Sequence, residues 1–181
     1  FSTKLVADLT GKPTLPIPGF MEYWRDTPTP EKCLELAEQV LRSGAAGLMY
    51  YLVDWGNYRY IRYPAEAPGR WDVLMRLSDV LHEMPRIVFP PTRTLVLFPT
   101  DSYAAVNEAR ADELYVAHAA IGENAHVWYR FISDRQIERG EGGLTNAAVL
   151  YVPYAPYIES RVVQRVLDFV QNGGTLVLGD S

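Results

Sequence analysis

Segments of strand length alternate with segments of helical period along most of this 181-residue chain, and that alternation limits its fold more than any other feature. Strands that alternate with helices make parallel βα units. The clearest helix follows Thr29-Pro30-Glu31, a capping residue, a first-turn proline and an acid that complements the helix dipole. Cys33, Leu36, Ala37, Val40 and Leu41 then recur at helical spacing, and Gly44 is placed to end the helix. AAGLMYYLVDW (45–55) follows as an almost unbroken apolar run, which suits a parallel strand buried on both faces. After an aromatic loop, Trp71, Leu74, Leu77, Leu81 and Met84 define one face of a second helix.

Residues Pro85 to Pro91 read as a connector, and beyond it the alternation resumes. TRTLVLFPT, AHVWYRFIS, NAAVLYVPY and TLVLGD are expected strands. AAVNEARADELYVAHAAIG and ESRVVQRVLDFVQNGG are expected helices, and SDRQ offers a capping box for a short one. The first twenty residues, rich in Gly and Pro, read as a lead-in to a short aromatic strand, FMEYW (20–24). Two α/β blocks result, residues 1–88 and 89–181. The first supplies too few βα units to close a sheet, whereas the second suits an open doubly wound sheet. Because the chain opens on Phe1 and stops just after a strand, it reads as a segment of something longer or a processed product.

Composition narrows the function. Hydrophobic residues make up 48% and charged residues 22%, as in globular proteins. A net charge of -5 without a long basic run argues against nucleic acid or an anionic membrane as partner. No apolar stretch is long enough to span a bilayer. A single cysteine, Cys33, permits neither an internal disulfide nor a cysteine-based zinc site, and on its apolar helix face it reads as a small core hydrophobe. His82, His118 and His126 lack metal-ligand spacing, so no metal or cofactor is expected.

In parallel α/β folds functional groups gather where strands end. Three stretches qualify: Glu22 to Asp26, Asp54 to Tyr60 and Thr100 to Tyr103. Glu22 with Tyr23, Trp24, Asp54, Trp55 and Tyr58 joins carboxylates to aromatic rings, a combination suited to the hydroxyls and apolar faces of a sugar. The plainer alternative makes the tryptophans core residues and Glu22 a solvated strand end. In FPTDSY, Asp101 or Ser102 is expected to cap a helix, with an anion site at its start as the lesser alternative. Tyr154 and Tyr157, in YAPYIES, fit either an oligomer contact or a substrate rim.

GFMEYWRD, the helix after it and GAAGLMYYLVDW together resemble the end of the catalytic barrel in glycoside hydrolases related to the family-42 β-galactosidases. AAVLYVPY and VLDFVQNGGTLVL resemble that family's middle domain, a flavodoxin-like fold akin to class I glutamine amidotransferases that mainly serves trimer assembly. The resemblance implies the last strands and helices of a (β/α)8 barrel over 1–88. Over 89–181 it implies a flavodoxin-like domain truncated at its C-terminus. It also implies Glu22 as nucleophile at the end of barrel strand seven, and Trp55 after strand eight lining the sugar subsite. Trp24, Asp54 and Tyr58, from the carboxylate and aromatic chemistry above, are expected to position the sugar beside them. The general acid belongs to barrel strand four, outside this chain, and the second block has no amidotransferase-type cysteine. The expected parent is a retaining glycosidase with a carbohydrate substrate, assembled as a homo-oligomer. A non-catalytic oligomerisation or carbohydrate-binding module with a degenerate barrel is the alternative, and a free-standing flavodoxin-like binding domain a third. A partial barrel would expose apolar strand edges, so the segment alone is expected to associate.

Overall fold

The structure, a computed structural model, describes residues 1–18, 29–49, 68–85, 87–105 and 111–179. Its elements in chain order are α1 (Ser2–Thr10), α2 (Pro30–Arg42), α3 (Pro68–Glu83), β1 (Thr94–Phe98), α4 (Thr100–Ala105) and α5 (Ala111–Ala117). A π-helical turn (His118–Asn124) precedes β2 (Arg130–Ser133), α6 (Asp134–Arg139), β3 (Val149–Val152), α7 (Ser160–Gln171) and β4 (Thr175–Leu178). They fall into two compact units, Gly11–Phe89, and Phe1–Thr10 together with Pro90–Ser181.

In the unit Gly11–Phe89, α2 forms where its capping signals place it. The Thr29 hydroxyl accepts the Lys32 N–H at 3.3 Å, and Gly44 leaves the helix with φ 94°. Cys33 and Ala37 are buried against Val73, Leu74 and Leu77 of α3, with Leu36 and Trp71 packed around them. Cys33 is a core residue. Gly69 is needed for this packing, because a Cβ there would stand 3.0 Å from the Pro30 ring. Of the strand expected over 45–55, residues 45–49 are irregular and the rest lies outside the described residues, as does FMEYW.

The second unit is a four-stranded parallel sheet in the order β2-β1-β3-β4, with Val96 of the central β1 in register with Phe131 on one side and Tyr151 on the other. The alternating side chains of β1 feed two cores. Leu95 and Leu97 join Ile132, Ile137, Leu150, Val162 and Phe169 beneath α6 and α7. Val96 joins Leu114, Ala117, Tyr129 and Phe131, against which Leu5 and Leu9 of α1 pack. Helices therefore cover both faces, as an all-parallel sheet requires.

Three sequence expectations need correction here. Residues 2–10, read as part of a Gly/Pro-rich lead-in, form α1 and pack with the sheet unit. The single helix expected over 104–122 is instead α4, α5 and the π-helical turn, with residues 106–110 outside the described set. The strand expected over 125–133 is regular only from Arg130.

Candidate functional site

Glu22, Trp24, Asp54, Trp55 and Tyr58, the sequence candidates for catalysis and sugar binding, lie outside the described residues. The segments that lead into them are described. The Ala46 and Met49 amides donate to the Thr14 and Pro16 carbonyls, both at 2.9 Å, so the chain approaching Glu22 runs beside the chain approaching Asp54. Gly47 allows the approach, because a Cβ there would lie 3.0 Å from Leu15 Cδ2.

The third candidate stretch, Thr100 to Tyr103, lies at the C-terminal end of β1, where strand order reverses between β2 and β3. In open α/β sheets such a reversal forms the ligand crevice. Here the protein's own groups stitch it. The Ser102 hydroxyl donates to the Tyr157 carbonyl at 2.8 Å and accepts the Tyr157 N–H at 3.0 Å. The buried Asp134 carboxylate accepts the Asp101 N–H at 3.1 Å. Arg135 then ties Asp101, at 2.5 Å, to Glu159, at 3.1 Å. Glu113 accepts the Tyr154 N–H at 2.9 Å. Tyr103 stacks on Phe98 with ring centroids 5.3 Å apart, and burial pushes its hydroxyl up to about 12.

Neither Asp101 nor Ser102 caps α4, because both lie inside its first turn. The Asp101 amide, one of the donors an external anion would need, is taken by a protein carboxylate. Tyr154 and Tyr157 serve the stitching through their backbone amides. Nothing in FPTDSY distinguished a cap from a cross-link, since the partners Asp134 and Tyr157 are remote in sequence.

Among the described residues no three His, Cys, Asp or Glu side chains gather as a metal would require, and no helix is long and apolar enough to cross a membrane. His118 is engaged otherwise, with Nδ1 2.5 Å from the Tyr129 hydroxyl and Nε2 3.6 Å from Glu123. Burial lowers its pKa below the ordinary histidine value.

No protein-family model matches the chain, and no curated protein matches it significantly. The fold, in contrast, has solved counterparts, two β-galactosidases among them. Gan42B, a GH42 β-galactosidase, superposes with a TM-score of 0.68 at 15% identity, over 98% of this chain and 28% of its own. The polyextremophilic β-galactosidase of the Antarctic haloarchaeon Halorubrum lacusprofundi does so with a TM-score of 0.75 at 14% identity, again over 98% of this chain and 28% of its own. At such identities the likeness is one of fold. This chain has the α/β fold of a segment spanning a little over a quarter of those enzymes.

Proposed function

We propose that the chain is a segment of a glycoside hydrolase that cleaves a β-linked sugar. Gly11–Phe89 would be the late part of a (β/α)8 barrel, and the sheet unit a flavodoxin-like domain. The observation that carries this reading is the fold likeness to two β-galactosidases over 98% of the chain. Strand order adds support, since β2-β1-β3-β4 matches the first four positions of the flavodoxin-like order.

In this reading Glu22 attacks the anomeric carbon and forms a covalent glycosyl-enzyme, which water then hydrolyses. A general acid about 5–5.5 Å away protonates the leaving oxygen and comes from polypeptide outside this chain. Trp24 and Trp55 offer aromatic faces to the sugar, while Asp54 and Tyr58 bond its hydroxyls. The stitched crevice of the sheet unit fits a supporting role for that unit.

The test is hydrolysis of aryl β-glycosides by the full-length polypeptide and its Glu22→Ala variant. Loss of activity with partial rescue by azide supports the assignment. Unchanged activity in the variant rejects it.

A second reading, an assembly module without catalysis, is favoured by one observation. Val163, Leu167 and Val170 of α7 and Val177 and Leu178 of β4 are all exposed. It predicts a full-length polypeptide that oligomerises through the exposed stripe of α7 and hydrolyses no glycoside.

A further inference from the structure

Every open sheet has two edge strands, each presenting unpaired backbone groups that can pair with another chain. Here the edges are β2 and β4. Edges are commonly blocked by charged side chains, proline or a bulge. β2, with the sequence RFIS, has no lysine or proline, and its one charge, Arg130, is held by the Gly142 carbonyl.

The amides of Phe131 and Ser133, alternate residues of β2, meet side-chain oxygens instead. The Phe131 N–H donates to Asp8 Oδ2 at 2.9 Å, and the Ser133 N–H to Gln136 Oε1 at 2.9 Å. The two acceptors are linked, because Gln136 Nε2 donates back to the Leu9 carbonyl of α1 at 3.2 Å. Lys4 fixes Asp8 from one turn earlier, with its buried Nζ 3.0 Å from Oδ2 and 4.6 Å from the centre of the Trp128 ring. The Phe1 ring meets Phe131 edge-on, with centroids 5.9 Å apart.

We propose that α1 is a strap that closes the β2 edge, with Asp8 and Gln136 standing in for the acceptors of a further strand. α1 reaches this edge from a distant part of the sequence, since residues 11–89 separate it from the rest of its unit. In this proposal α1 leaves the edge while the four strands stay paired. Its departure uncovers the Phe131 amide and releases the tie on Gln136.

Native-state hydrogen exchange on the unaltered chain tests this. The Phe131 amide is expected to exchange through the same opening as the α1 amides, and faster than Ile132 in the same strand. Exchange of Phe131 only with global unfolding, in step with Ile132, would overturn the proposal. Asp8→Ala supplies the second arm, speeding Phe131 exchange about tenfold while leaving Ile132 unchanged. Asp8→Asn keeps an acceptor oxygen and is expected to restore protection. Unchanged Phe131 protection in Asp8→Ala would also overturn the strap.

Discussion

At the scale of the residue, close contacts and burial dictate the sharpest expectations. Gly174 lies against Phe169, and a Cβ there would come within 2.2 Å of the ring. Gly174→Ala should therefore lower stability by about 2 kcal/mol, read as a lower denaturant midpoint with an unchanged slope. His118 sets a pH dependence. Burial, its largest cause, lowers the folded-state pKa below the unfolded one, so the unfolded chain binds more protons as pH falls through that interval. The histidine's contribution is complete above about pH 6.5 and is lost as pH drops through the folded pKa. His118→Gln should flatten that acid limb of a melting-temperature profile. Asp8 acts in the opposite sense. Burial raises its pKa despite the neighbouring Lys4, so its contribution is present at low pH and is lost as pH rises through the folded value.

Among elements, legibility follows how local the cause is. The caps were legible because their physics lies within four residues. Thr29 accepts from Lys32, and Ser133 and Gln136 form a reciprocal box at the start of α6. Thr29→Ala should cost about 1 kcal/mol in urea unfolding of the unit it caps, with most of the loss recovered by Thr29→Ser. The strand cores of the sheet were legible as apolar runs, and its four strands, the ones among the described residues, lie within segments expected to form them. Residues 45–49, the described part of another such run, are irregular. α1 was not legible. STKLVADLT is nine residues, too short to persist alone, and packing on β2 from far along the chain makes it a helix. In the π-helical turn, Gly122 is set close against Tyr129, a contact remote from any local sequence signal. The candidate sugar site is a separate case, since Glu22, Trp24, Asp54, Trp55 and Tyr58 lie outside the described residues. Their case rests on residue chemistry and family resemblance.

For the whole molecule, the two sheet edges differ. α1 covers β2, while β4 carries the exposed Val177 and Leu178 with neither lysine nor proline in TLVL. On α7, Val163, Leu167 and Val170 form a further exposed apolar stripe at helical spacing. The isolated chain is therefore expected to associate with rising concentration in sedimentation, and Leu167→Glu with Leu178→Lys to shift it toward monomer. A concentration-independent monomer without these changes would rule this out. The functional claim is larger: a barrel segment bearing a nucleophile, joined to a sheet unit whose crevice is tied by its own side chains. Its most direct test is to incubate the full-length polypeptide with an activated 2-deoxy-2-fluoro-β-glycoside and map the labelled peptide by mass spectrometry. The account predicts a covalent glycosyl adduct on Glu22; an adduct on any other carboxylate, or hydrolysis of β-glycosides with Glu22 unlabelled, would contradict it.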